Sequence, residues 1–175
     1  MALNMPRHFT IFCLAMVMLG LFASPTEAKY KAINPFCRTS DYRRICNIMV
    51  RGATNWHDAT RNAIQSALRA ATILQKLTPR LDQALEGVDQ ATKADTVATC
   101  KDTFDGAVDN MKQALVYFDT NDIGGLNTYL SAAVGIDDCT DAMKQAGAAF
   151  PPAVAKISNN LAMQVSNCLA VTQQT

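Results

Sequence analysis

From residue 41 onward the apolar positions recur at helical spacing, and no alternating strand pattern of useful length interrupts them. The clearest run is Val97, Cys100, Phe104, Ala107, Met111, Ala114 and Phe118, at steps of three and four. That is the heptad seam of a helix packed nearly antiparallel on its neighbours. Before it, Ala63, Ala67, Ala70, Leu74 and Leu77 form a stripe widened by Ile64, Leu68 and Ala71, which predicts a long helix over 54–77. Pro79 suits the first turn of a short helical segment, and 86–93 reads as a connection. After a tight turn at 119–122, a third long helix is predicted over 122–145. Leu126, Tyr129, Leu130, Ala133, Ile136 and Met143 face inward, and Gly124, Gly125 and Gly135 weaken it locally. Gly147 and Pro151-Pro152 break the chain before a last helix striped by Val154, Ile157, Leu161, Val165 and Cys168. Residues 34–52 read as a small helical hairpin, with Tyr42, Ile45, Met49 and Val50 on one face, Asp41 as cap and Gly52 as stop. Four striped helices on short connections bury their stripes best against each other. The expected fold is all-α: an up-down-up-down four-helix bundle with an N-terminal helical hairpin.

The start of the chain changes the setting. Arg7 and His8 precede an apolar run over 9–23, followed by small residues at Thr26 and Ala28. That is the signature of a secretory signal peptide over 1–28, cut after Ala28, leaving a soluble extracellular domain over 29–175. The run falls short of the roughly 20 residues a spanning helix needs, and no other stretch is apolar enough to cross a membrane.

Secretion governs how the cysteines read. Cys13 leaves with the leader, and Cys37, Cys46, Cys100, Cys139 and Cys168 remain in an oxidising compartment, with one left over. Counting alone leaves both the odd cysteine and the pairing of the other four open. Cys37 and Cys46 flank the hairpin break, so a bridge there would staple it. Cys100 and Cys139 lie at nearly equal distances from the turn near residue 120, and equal rise brings them to one height on antiparallel helices. Cys168 then remains as a buried free thiol on the inward stripe of the last helix.

Charge is balanced over the whole chain at +1 but split along it. Residues 29–80 carry ten Lys or Arg against Asp41 and Asp58, and 81–144 carry twelve acids against four Lys. The start of the mature chain is therefore expected to pack well against its middle. A near-neutral chain with no basic patch interleaved with aromatics is a poor nucleic-acid binder. Catalytic chemistry is also poorly provided for. After the leader there is one histidine, His57, with no nucleophile motif around any serine. One histidine and oxidised thiols give no zinc set, and no cofactor is implied. Asp102, Asp105 and Asp109, extended by Asp95, step along one helix face off the seam and are expected to point outward. They form a candidate docking stripe for a basic protein surface. Asn127, Thr128 and Ser131 add a polar edge on the next helix. There is no Asn-x-Ser/Thr sequon.

The cysteine framework, with TCKDTFDGAVDNMKQAL at 99–115 and DTNDIGGLNTYLSAAVGIDDC at 119–139, resembles the plant invertase and pectin methylesterase inhibitor family over the whole mature chain. The resemblance implies a four-helix bundle with an N-terminal hairpin, the same two pairings, and a fifth cysteine that can be free. It also implies inhibition by stoichiometric binding to a carbohydrate-active enzyme, with the second and third long helices presenting much of the contact face. Many pectin methylesterase inhibitors have Thr just before the fourth cysteine, where this chain has Asp138. Invertase inhibitors carry a Pro-Lys-Phe motif in a helix connection, and this chain has none. The expected partner is accordingly pectin methylesterase, with acid invertase as the alternative. A secreted carrier holding an apolar small molecule between its helices is the competing class of function.

Overall fold

The computed structural model describes residues 32–174, and every regular element among them is a helix. A 3-10 turn, Pro35–Cys37, leads to α1 (Arg43–Met49), α2 (Trp56–Gln75), α3 (Thr78–Ala84) and α4 (Gln90–Asp119). The chain continues through α5 (Ile123–Ala132), α6 (Asp137–Gln145) and α7 (Pro152–Thr172). The segment 1–28, read as a signal peptide, lies outside the described residues.

Short polar side chains start three of these helices. Asn55 accepts from the Asp58 N–H at 2.8 Å to cap α2. Asp89 accepts from the Thr92 N–H at 3.0 Å to cap α4, and Asp122 accepts from the Gly125 N–H at 2.8 Å to cap α5. Each satisfies a donor the helix leaves unpaired. The stops are equally local. At the end of α4, Asn121 turns left-handed (φ 59), with Asp122 N–H bonded to Tyr117 C=O and Asn121 N–H to Phe118 C=O. At the end of α6, Gly147 (φ 70) does the same, through Ala148 to Met143 and Gly147 to Lys144. Both are Schellman motifs.

The bundle proper is α2, α4, the α5–α6 pair and α7. Helix α4 packs on α2 on one side and on α5 and α6 on the other, while α7 closes the ring against α2 and α5. Cys100, Phe104, Ala107, Met111, Ala114 and Phe118 of the α4 seam are all buried, and Val97 is half-buried. Burying a Phe, Leu or Met side chain stabilises by about 1.5–3 kcal/mol, so this seam and the α2 and α7 stripes supply the main cohesive term. The hairpin is fastened by polar clips. Asn62 Nδ2 donates to Val50 C=O at 3.2 Å and Asn167 Nδ2 to Tyr42 C=O at 3.1 Å, while Trp56 Nε1, donating to Val171 C=O at 3.0 Å, ties α2 to α7 beside it.

Two disulfides join Cys37 to Cys46 and Cys100 to Cys139, with Cα separations of 5.7 and 4.3 Å. Cys168 is free and buried, and burial pushes its thiol well above the usual thiol range.

Four local expectations need correction. The third long helix is two helices, α5 and α6, because the chain leaves helical geometry between Ala133 and Asp137. Gly135 lowers the cost of leaving it, and Asp137 and Asp138 favour a new helix N-terminus at α6, where carboxylates complement the positive end of the dipole. Helix α4 begins at Gln90, so the connection before it is shorter than 86–93; the Asp89 cap recruits polar residues that carry no apolar period. Asp41 does not cap α1; the N-cap position is Tyr42, which makes no side-chain cap bond and is itself exposed. Charge, finally, is not what joins the basic start to the acidic middle. Helices α2 and α4 do pack together, but through apolar stripes. Among the described residues only Arg61–Asp119 pairs a cation of 29–80 with an acid of 81–144.

Candidate docking surface

The outer side of α4, one residue behind the buried seam, carries Thr99, Thr103, Gly106 and Asn110 at the same alternation of four and three as the seam itself. Small residues along this line, facing the broken junction of α5 and α6, leave an open groove of about 410 Å3. Its far wall is Ala132, Gly135 and Asp138. A second groove of about 350 Å3 shares Thr99 and runs on between Asp95, Thr96 and the α6 residues Ala142 and Gln145. The two make one trough along α4.

The chemistry of the trough follows from its residues. Thr96 and Thr103 donate their hydroxyls to the carbonyls of Thr92 and Thr99, at 2.7 and 2.8 Å, and Thr99 donates to Asp95 C=O at 2.9 Å. With those donors satisfied internally, the threonines offer a visitor acceptor lone pairs and methyl groups. Asp95, Asp102 and Asp138 line the walls, and no cation does. Gly106 contributes space, since a Cβ there would meet nothing within 4 Å. The trough therefore favours a positively charged, shape-matched protein surface, and it holds no nucleophile paired with a base. Among the described residues no cluster of His, Cys, Asp and Glu is placed to hold a metal.

The six residues expected at the contact face do not stand together. Asp102 lines the trough. Asp109, two turns along the same line, is exposed and paired with Lys112 Nζ at 3.0 Å. Asp105 turns toward α2. Its carboxylate accepts from Gln75 Nε2 at 2.7 Å and from Lys101 Nζ at 2.6 Å, and these two bonds hold it below the usual carboxylate range. It is two-thirds covered rather than outward-pointing, because α2 packs against that edge of α4. Thr128 and Ser131 are exposed on α5, and Thr128 shares the face of Ala132, one turn on. Asn127 turns the other way and accepts from Thr172 Oγ1 of α7 at 3.1 Å.

The threonine–glycine–asparagine line and Asp138 are additional candidates. The line was legible as a small-residue stripe one step from the seam; Asp138 was not, because its place depends on the α5–α6 break. His57 does not line the trough; it lies in the first turn of α2, with its ring 4.8 Å from that of Phe118 near the end of α4.

The end of α4 shows how tightly α5 is seated. Tyr117 and Tyr129 stack with ring centroids 5.1 Å apart. Gly125 lies under Tyr117 so closely that any Cβ would collide with the ring. A glycine is required there by space, not by φ.

Comparison with known proteins locates the chain. The fold is similar to that of a mutant form of a pectin methylesterase inhibitor from Arabidopsis, with TM-score 0.64 and 19% identity over 80% of this chain and 94% of that one. A second pectin methylesterase inhibitor structure from Arabidopsis thaliana is similar with TM-score 0.57 and 18% identity, over 81% of this chain and 94% of that one. Comparison with curated proteins returns no match. The family model for plant invertase/pectin methylesterase inhibitors matches residues 31–171. Together with the helical bundle and its two disulfides, that match places the chain in the plant invertase/pectin methylesterase inhibitor family, whose members are inhibitors and not enzymes.

Proposed function

We propose that this protein inhibits a pectin methylesterase by seating the α4/α5–α6 trough against the enzyme, one inhibitor to one enzyme, outside the cell after loss of residues 1–28. The observation that carries this reading is the trough itself: three carboxylates, no cation, and a floor of Gly106 and back-bonded threonines. Such a surface steers a basic partner and accepts its donors, while the disulfide between Cys100 and Cys139 holds both walls in register. No described helix is long and apolar enough to cross a membrane.

The test is titration of the purified protein against a panel of plant pectin methylesterases and an acid invertase. Stoichiometric loss of methylesterase activity supports the proposal. Loss of invertase activity alone transfers the trough to the other target of the family, and no loss in either assay removes the inhibitor reading of this surface.

A further inference from the structure

Among the described residues, the Lys and Arg side chains of the basic half other than Arg61 pair with no carboxylate. On α1, Arg44 and Ile48 stand one turn apart and both are exposed, Ile48 at 76%. Arg51 follows them, exposed beyond the end of α1. Along α2 and its C-cap, Arg69, Ile73 and Lys76 recur at steps of four and three on the outward side. The two lines approach each other at the end of α1. Val50 is bonded to Asn62 two turns before Arg69, and burial together with the nearby Arg51 charge pushes the Arg69 guanidinium below its usual value. None of these four cations pairs with a carboxylate among the described residues. Like charges that approach without a counter-charge repel, and an anion spanning them relieves that repulsion.

We propose that this stripe, Arg44–Ile48–Arg51–Arg69–Ile73–Lys76, binds an extended polyanion of carboxylates, and specifically polyuronate, the de-esterified form of pectin. The identity of the polyanion rests on the function proposed above, since a pectin methylesterase turns neutral methyl esters into carboxylates. Guanidinium forks match carboxylates in geometry. The cations recur at helical intervals on two exposed segments that meet near Val50 and Asn62, and a polymer carrying repeated charges can engage several of them at once. The isoleucines between them offer aliphatic contact to the C–H faces of sugar rings. Two isoleucines are too little apolar surface to seat the stripe in a bilayer, where binding scales with the apolar area buried. Helix α2 packs chiefly on α4 and α7 rather than along the trough, so polymer and enzyme would use different faces. An inhibitor so equipped would concentrate where its target has already acted.

The experiment measures retention of the purified protein on immobilised polygalacturonate, on fully methyl-esterified pectin and on phosphatidylserine vesicles, across a salt series. The expected result is retention on polygalacturonate alone, weakening steeply with salt as screening shortens to about 10 Å near 0.1 M. Arg51→Glu with Arg69→Glu should weaken it by about tenfold or more, with unchanged melting and a parent-like titration of the enzyme. Arg44→Glu with Lys76→Glu repeats the test should the first pair fold poorly. Equal retention of parent and both variants overturns the proposal. So does vesicle binding as strong as polygalacturonate binding, which would make the stripe a membrane-surface site. Loss of enzyme inhibition in the charge-reversed variants also overturns it, by making the stripe part of the enzyme contact. Binding to polygalacturonate is read without any enzyme present, so a protein that inhibits nothing can still pass or fail it.

Discussion

Gln75 of α2 donates to the Asp105 carboxylate of α4 at 2.7 Å, making a strut between helices out of a residue whose spacing put it in the middle of a docking stripe. Asp102, one turn earlier, is left lining the trough, and Asp105 is tied inward by α2. The two aspartates should therefore separate in mutagenesis. Asp102→Lys with Asp138→Lys should weaken the enzyme complex by about tenfold or more with little change in melting. Asp105→Ala should instead lower stability by about 1 kcal/mol, a modest figure because a third of its side chain meets solvent. Calorimetric melting beside inhibitor titration distinguishes them, and the opposite pattern would return Asp105 to the contact face.

Acid should expose the same strut. The Asp105 carboxyl is held low by its bonds from Lys101 and Gln75, and the Asp89 carboxyl by its bonds at the head of α4. A depressed carboxyl contributes stability that is complete above its unfolded value and is lost as pH falls through its folded value. Urea midpoints should accordingly hold steady above the ordinary carboxylate range and fall below it. The fall should shrink in Asp105→Asn, and an identical acid profile for parent and variant would refute that assignment.

The trough depends on a missing side chain. Gly106 lies within α4 with open space where its Cβ would be, so Gly106→Ala should raise stability by up to about 1 kcal/mol, the helix-propensity difference. Gly106→Phe should fill the trough and cut inhibition without unfolding the bundle. Gly125→Ala should behave oppositely, losing about 1–3 kcal/mol to overpacking against Tyr117. Full inhibition by Gly106→Phe would move the enzyme contact elsewhere.

The long disulfide clamps the trough as well as the core. Replacing Cys100 and Cys139 together by Ser should cost about 4 kcal/mol for a loop of 39 residues, against about 2.5 kcal/mol for the Cys37–Cys46 pair with its separation of 9. Denaturant melts under non-reducing conditions give both numbers, and the Cys100/Cys139 variant should also lose affinity for the enzyme. A larger loss from the short loop would contradict the chain-entropy ordering.

Cys168 should be chemically silent until the bundle opens. It is fully covered and its thiol is pushed up by burial, while the thiolate is the reactive form. Alkylation under native conditions should track global unfolding, and rapid labelling of the native protein would contradict its burial.

The helical class, the α4 seam, the hairpin and the shared height of Cys100 and Cys139 could be read from the chain alone. These are properties of period and of rise per residue, written locally in which positions are apolar. The caps at Asn55 and Asp122 are local too, each a side-chain oxygen accepting from the N–H three residues on. Packing settled the rest: the third long helix breaks around Gly135, Asp105 braces α2 while Asp102 stays on the trough, and the positive face keeps its charge unpaired. Each of these depends on what another helix places alongside. A helix face has no sign of in or out beyond its apolar seam until its neighbours are packed. The trough, shared by α4 and the α5–α6 junction, came into being only when distant small residues were brought side by side.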